Sequence, residues 1–250
     1  MADVYAISSG NFDDGYLINI NTSADGVAAR NATTATGNNF TSAVLLCVHT
    51  KLSFMTNNWR GVYRPVLSFD MSGESGTVES VNLKLRSNAN TSGISSFIWT
   101  KKTHVCKVEP DGSTWANGDY DGADGWVSSD TYEGEVTEYA TAFTNAASTS
   151  HTIALNAEAI SDLNSVVGSG KFHIMLMHEN DFKEDDTLLN TPSTTGGGMT
   201  NGDGGYFASM EDSTASYRPH LDITYAAASL VERLKISSGR LDLKSGTLNI

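Results

Sequence analysis

The sequence predicts an all-β fold, an antiparallel β-sandwich with one short crossover helix and a C-terminal β-arm. Three observations support this prediction. The 250-residue chain is rich in Gly, Ser, Thr, Asn and Asp, short segments of alternating apolar and polar residues recur along it, and its last eighteen residues repeat with a period of seven. Such a pattern is typical of many short strands joined by polar turns, and a chain of this length can bury a sizeable core.

The strands are predicted from side-chain alternation, because successive residues of a strand face opposite sides of a sheet. In the clearest case, 78–86, Val81, Leu83 and Leu85 point inward and the intervening residues, Lys84 among them, point to solvent. The segment 44–48 is continuously apolar, which indicates a strand covered on both faces. Further strands are expected at 16–20, 63–70, 97–102, 152–155, 172–177 and 221–225.

One helix is predicted between two of these strands. Asn156 is a suitable N-cap, an apolar stripe at 160, 163 and 167 follows at helical spacing, and Gly168 ends the segment. Three polar, glycine-rich or acidic stretches are expected to be exposed loops: 112–125, 179–186 and 192–205.

A short Tyr-Arg-Pro motif occurs twice, as Arg64-Pro65 within 63–70 and as Arg218-Pro219 within 217–225. In both copies the proline is expected to open a strand, where its missing N–H group is tolerated. The arginine before it would either bind carbonyl oxygens of loops at the end of the sandwich or be a solvated charge.

The C-terminal repeats divide the chain into a body, 1–226, and an arm, 227–250. Each complete repeat is a four-residue alternating strand followed by a Ser-Gly turn, so the arm is not a coiled coil. Three such short strands cannot bury their own apolar side chains. The arm is therefore predicted to dock on another surface or to mediate oligomerisation through these residues: Leu234, Ile236, Leu241, Leu243, Leu248 and Ile250.

The charge and the composition of the sequence argue against several classes of protein. The net charge is −13, which argues against nucleic-acid binding, because that needs a basic surface. No apolar run approaches the roughly 20 residues of a membrane span, and the residues after Met1 lack the pattern of a signal peptide. Cys47 and Cys106 are expected to be two buried free thiols rather than a disulfide.

At several points the chain resembles the DNRLRE-type jelly-roll domains, which are similar to carbohydrate-binding modules. The resemblance covers most of 3–225 and rests on motifs that follow one another in order: DGYLIN at 14–19, RPVLSFD at 64–70, TVESVNLKLR at 77–86, STW at 113–115, GKFHIMLM at 170–177 and a closing segment at 206–225. It implies a jelly-roll sandwich. The Leu-x-Leu-x-Ser-Gly arm resembles the C-termini of structural proteins of tailed bacteriophages.

Two candidate sites fall in the long loop after 111. Trp115, Tyr120 and Trp126 could stack on sugar rings, which have apolar faces and polar edges; alternatively, they fix the loop onto the sandwich. Asn117, Asp119 and Asp121 match the first half of a calcium loop, although position 12 is Ser128 and not glutamate. The alternative is an ordinary Asx-rich turn. No cofactor other than such a structural calcium is indicated.

No catalytic constellation stands out. The six histidines are scattered, and the acidic runs Asp13-Asp14 and 184–186 read as solvated loop residues rather than a glycosidase pair. We therefore expect no enzyme but a virion structural protein, a head decoration or a tail or fibre accessory, made in the host cytoplasm. Its expected partners are other virion proteins and further copies of itself, with a host-surface glycan in addition. The alternative is a carbohydrate-binding module; a polysaccharide-degrading enzyme is disfavoured.

Overall fold

A computed structural model describes residues 2–6, 14–21, 27–41, 44–54, 57–88, 97–98, 100–110, 115–126, 136–185 and 198–227. Within them the strands are β1 (Ala2–Tyr5), β2 (Asp14–Asn21), β3 (Gly37–Asn39), β4 (Val44–Phe54), β5 (Asn57–Asp70), β6 (Val78–Arg86), β7 (Phe97–Ile98), β8 (Lys102–Lys107), β9 (Phe143–Thr144), β10 (Ser150–Ala154), β11 (Lys171–His178), β12 (Gly198–Ala208) and β13 (His220–Tyr225). The helices are α1 (Val27–Arg30), α2 (Ala157–Val166), α3 (Glu179–Phe182) and two 3₁₀ helices, Asn117–Asp121 and Ala215–Tyr217.

These strands form two sheets, so the predicted all-β sandwich is confirmed. The four-stranded sheet has the order β1-β13-β6-β10. The nine-stranded sheet has the order β7-β12-β4-β5-β11-β8-β9, and β2 and β3 join it through β5. Neighbouring strands are antiparallel except β7 and β12, which run parallel.

The main core lies between the two sheets. Val81, Leu83 and Leu85 of β6 point into it, as their alternation predicts, and they meet Leu67 and Phe69 from the other sheet. The helix α2 packs at one side of this core through Leu163 and follows β10 before the chain crosses to β11. Its cap is the predicted one, because the side chain of Asn156 accepts a hydrogen bond from the backbone N–H of Ala159 at 3.0 Å.

A second core covers the opposite face of the nine-stranded sheet. Val62 and Val66 of β5 are buried there beneath the segment 115–126, α1 and α3. The expectation of exposed loops at 112–125 and 179–186 is therefore wrong for the parts that the structure describes, since Trp115, Tyr120, Asp181 and Phe182 are buried. The reason is that this sheet has two apolar faces, and the second one needs a cover of its own.

The glycine-rich stretch predicted as a loop at 192–205 is instead a strand from Gly198 onward. β12 pairs with β4 along its length, with Gly204 opposite Val48. Gly204 has a φ of +118°, and a Cβ there would overlap the carbonyl oxygen of Cys47 and lie 2.8 Å from the Cα of Val48. Glycine is thus needed for the close approach of the two strands.

The two Arg-Pro motifs differ in their place in the strands. Pro219 immediately precedes β13, as predicted. Pro65 lies inside β5, so the prediction that it opens a strand is wrong. β5 pairs with β4 up to Tyr63 and with β11 from Val66, and a proline is tolerated between these two segments.

The last strand that the structure describes is an interior strand of the four-stranded sheet. β13 lies between β1 and β6, and the N–H of Ala226 after it donates to the carbonyl of Thr77 at 2.7 Å. The predicted arm residues from Leu234 to Ile250 lie outside the described residues. Cys47 and Cys106 are free and buried, as predicted, one in each core. No helix among the described residues is long and apolar enough to cross a membrane.

Candidate functional site

Two of the three aromatic residues predicted to bind a glycan are part of the second core. Trp115 is 4% exposed, and its Nε1–H donates to the hydroxyl oxygen of Ser68 at 2.9 Å. Tyr120 is fully buried, and its hydroxyl donates to the carbonyl of Ala29 at 3.0 Å. Stacking on a sugar needs an accessible ring face. Their burial argues against a binding platform and favours the alternative, in which they fix the loop onto the sheet.

The third aromatic residue, Trp126, is half-buried and packs on an arginine. The guanidinium of Arg64 lies between two rings, 4.2 Å from the ring centre of Tyr120 and 4.3 Å from that of Trp126. Arginine stacks on aromatic faces in this way because its planar cation is attracted to their π-electrons. The loop is therefore attached to β5 through a buried cation.

Arg64 is the centre of a buried polar network. It is fully buried and binds Asp181 through two hydrogen bonds of 2.8 Å, from Nε and from Nη2. Nη1 donates to the carbonyl oxygen of Tyr120 at 2.6 Å, and Nη2 also donates to that of Arg30 at 3.1 Å. One side chain thus joins β5, α1, α3 and the segment 115–126. Of the two roles considered for this arginine, binding loop carbonyl oxygens is the one observed.

The second motif arginine has the same kind of bond, since Nε of Arg218 donates to the carbonyl of Asp212 at 3.0 Å. The acidic runs also serve the fold where the structure describes them. Glu184 forms an ion pair of 2.8 Å with Arg30, and both side chains are buried. Oδ2 of Asp14 accepts from the N–H of Met210 at 3.0 Å. These carboxylates are part of the interior and not of a cleft.

The calcium candidates form a 3₁₀ helix, Asn117–Asp121. Oδ1 of Asn117 accepts from the side-chain amide of Asn38 at 2.6 Å, and the buried carboxylate of Asp119 accepts from the N–H of Ala116 at 2.6 Å. A calcium ion takes six to eight oxygen ligands, and the described residues contain no group of three or more His, Cys, Asp and Glu side chains placed to hold a metal. This geometry fits the Asx-rich turn better than a metal loop.

Two histidines, His178 buried and His173 partly buried, make side-chain contacts that no sequence pattern indicates. Nδ1 of His178 accepts from the N–H of Asn180 at 3.2 Å, so Nε2 carries the proton and donates to Asp203 at 3.1 Å. The indole N–H of Trp115 donates to the hydroxyl oxygen of Ser68, and the same hydroxyl is hydrogen-bonded to Nδ1 of His173 at 2.8 Å. Both contacts join segments that lie far apart in the sequence, where no local pattern signals them.

An open polar cavity of about 200 Å³ lies at the end of the four-stranded sheet where β6 ends and β13 begins. It is lined by Lys84, Leu85, Ser150, His151, Thr152, Ser216, Tyr217, Arg218 and His220. The alternation in β6 predicts that Lys84 faces solvent, and the Arg-Pro motif includes Arg218. The sequence did not predict that these two residues lie close together. They meet because β13 and β10 both pair with β6.

The stability of the protein should fall at mildly acidic pH because of two histidines. Burial lowers the pKa of His104 from 6.5, although Glu138 opposes the shift, and burial together with Arg86 lowers the pKa of His151. As the pH falls below 6.5, the unfolded chain takes up protons before the folded one does, so stability present above that pH is lost. Urea unfolding at about pH 7.5 and about pH 5.5 measures the loss. A His104→Gln/His151→Gln variant should show a smaller difference between the two pH values; an unchanged difference would contradict this assignment.

Comparison with known proteins adds no family to these observations. No protein-family model matches the chain, and no curated protein sequence matches it significantly. The resemblance to DNRLRE-type domains therefore stays an expectation from the sequence.

Proposed function

We propose that this chain is a non-enzymatic structural protein of a tailed-bacteriophage virion, which attaches through its C-terminal arm and displays the β-sandwich. The arm carries alternating apolar residues that it cannot bury by itself. The proposal rests on one observation about the body. Among the residues whose side-chain exposure the structure describes, Tyr5, which is 43% exposed, is the one large hydrophobic side chain open to solvent. The part of the body surface that the structure describes therefore offers the arm no extended apolar patch, which favours docking on a neighbour.

The place at which the arm follows the body in the sequence agrees with this role. Tyr5 pairs with His220 at the beginning of β13, whereas the arm follows the end of the same strand after Tyr225. Five residues of a strand span roughly 17 Å. Attachment at one end would leave the other end, with Tyr5 and the polar cavity, facing outward.

The interior of the body also fits a structural role. Some of the charged residues that it buries form ion pairs, Arg64 with Asp181 and Arg30 with Glu184. The buried carboxylates of Asp14 and Asp119 accept hydrogen bonds from backbone N–H groups. Burial raises the pKa of both cysteine thiols, which keeps them protonated and unreactive at neutral pH. The alternative function, a carbohydrate-binding module, would need a surface other than Trp115 and Tyr120, because these two rings are buried.

Serine substitutions in the arm test the proposal. In the variant Leu241→Ser/Leu243→Ser, co-sedimentation with purified virions and the oligomeric mass in analytical ultracentrifugation should both fall. Each buried leucine contributes about 1.5–3 kcal/mol, so we expect binding to weaken by at least about tenfold. The matched control is Asp242→Ser/Lys244→Ser, which alters the polar face of the same short strand. Wild-type assembly of the leucine variant, or an equal loss in the control, would contradict the proposal.

A further inference from the structure

The cavity beside β6 and β13 differs in charge from the rest of the protein. The chain contains 29 acidic residues against 16 basic ones, yet no carboxylate is among the nine described residues that line the cavity. Two cations, Lys84 and Arg218, line it, and the guanidinium of a third, Arg86, lies 4.8 Å from the ring centre of the lining residue Tyr217. The carboxylate of Asp222, which pairs with Lys84 at 3.4 Å, stands outside the lining. A local excess of positive charge on an acidic protein favours an anionic ligand.

The cations keep hydrogen-bonding capacity for such a ligand. The contacts described for Arg218 use only Nε, and those described for Arg86 use Nη1, which donates to the hydroxyl of Ser150. A guanidinium has five N–H donors, and it binds carboxylates and phosphates through two parallel hydrogen bonds. Fixed at one nitrogen, Arg218 is held in place while its remaining donors are available.

The rest of the lining suits a hydroxyl-rich ligand. The hydroxyl groups of Ser150 and Thr152 accept hydrogen bonds from Arg86 and Lys84, so their own protons are free to be donated. Nδ1 of His220 donates to the carbonyl of Arg218 at 2.9 Å, which leaves Nε2 of the neutral ring as an acceptor. The cavity thus combines donors for an anion with donors and acceptors for hydroxyl groups.

An aromatic ring stands beside this polar lining. The ring centre of Tyr5 lies 4.9 Å from that of His220, and Tyr5 is partly exposed to solvent. Such a ring can pack against the apolar face of a sugar. A cavity of about 200 Å³ is smaller than the roughly 300–1,000 Å³ that encloses a drug-sized molecule. It would therefore hold one unit of a larger ligand, with the next unit near Tyr5.

We propose that this cavity binds a single anionic, hydroxyl-rich unit of a surface polymer, a uronate or a polyol phosphate, through Lys84, Arg86 and Arg218. The anionic group faces the three cations, and the hydroxyl groups of the unit contact Ser150, Thr152 and His220. This site goes beyond the proposed attachment function and does not depend on the arm. It lies on the end of the body that attachment would leave exposed.

The test uses the full-length chain and four small probes: glucuronate, glycerol 3-phosphate, glucose and inorganic sulfate. NMR or calorimetric titration should detect binding of at least one of the first two, with weaker affinity at high salt. Glucuronate alone identifies a uronate, glycerol 3-phosphate alone identifies a polyol phosphate, and binding of both supports the shared chemistry. Three results would overturn the proposal. Glucose could bind with the same affinity as glucuronate, sulfate could bind with the same affinity as glucuronate or glycerol 3-phosphate, or neither glucuronate nor glycerol 3-phosphate could bind.

Charge variants locate the site. Lys84→Gln and Arg218→Gln should each weaken binding by at least about fivefold, because a hydrogen bond to a charged group is lost. The matched control is Lys183→Gln, since Lys183 is also a surface lysine paired with one carboxylate, that of Glu179. Thermal melts show whether each variant is folded. If Arg218→Gln is unstable, Arg218→Lys is used in its place, and it should keep part of the affinity. An equal loss in Lys183→Gln would mean that net charge and not this cavity governs binding.

Discussion

Replacing Arg64 with methionine is expected to lower the free energy of unfolding by about 3–5 kcal/mol. The substitution leaves the carboxylate of Asp181 buried without its partner, and it also removes the donors that satisfy the carbonyl oxygens of Tyr120 and Arg30. A buried acceptor without a donor is costly because it has lost its hydrogen bonds with water. Chemical denaturation with urea measures the change.

A double-mutant cycle separates the ion pair from the carbonyl contacts. Asp181→Leu alone should be about as harmful as Arg64→Met, whereas the double variant should cost less than the sum of the two, because no unpaired charge remains buried. The control is Lys183→Met, which breaks an ion pair whose lysine is 58% exposed; such a pair contributes at most about 1 kcal/mol. If Arg64→Met changed stability by no more than Lys183→Met, the buried network would not be what holds the segment 115–126, α1 and α3 on β5.

Replacing Trp115 with alanine is expected to destabilise the body by about 3–5 kcal/mol, the usual cost of removing a buried aromatic side chain. The milder Trp115→Phe keeps most of the packing but loses the hydrogen bond to Ser68, so about 1–2 kcal/mol is expected. A residue whose role is to bind a sugar would behave differently, since its removal would weaken binding and leave stability unchanged. Urea unfolding of both variants, with glycan binding measured alongside, distinguishes the two roles.

Trp126 gives a comparison within the same loop. It is half-buried and contacts the guanidinium of Arg64 through one ring face, so Trp126→Ala should cost about 1–2 kcal/mol. Trp115→Ala should therefore be the more harmful of the two. The opposite order would mean that the cation–π contact of Trp126 contributes more to stability than the buried indole of Trp115 does.

The sequence was informative where a local pattern decides the structure. The alternation in 78–86 placed Val81, Leu83 and Leu85 in the main core, because the period of two is a property of the strand itself. The helix α2 and its Asn156 cap were predicted for the same reason, since the cap and the apolar stripe lie within a dozen residues. Both features need no knowledge of distant parts of the chain.

The sequence-based predictions were wrong or incomplete where residues far apart in the chain determine the structure. Asp181 lies in an acidic stretch that reads as a loop, and only its partner Arg64, 117 positions away, makes its burial favourable. Gly202, Gly204 and Gly205 lack the side chains whose alternation would mark a strand, so β12 was not predicted. The polar cavity escaped prediction because Lys84, Ser150 and Arg218 come together only through the pairing of three strands.

The position of β13 has a mechanical consequence. A force applied to the arm would reach the body at Ala226 and act along β13, which is hydrogen-bonded on both sides, to β1 and to β6. Extracting it lengthwise would require two ladders to shear at once, whereas an edge strand is held by one. Traction applied to the C-terminus would thus be resisted by an interior strand of its sheet and not by an edge strand.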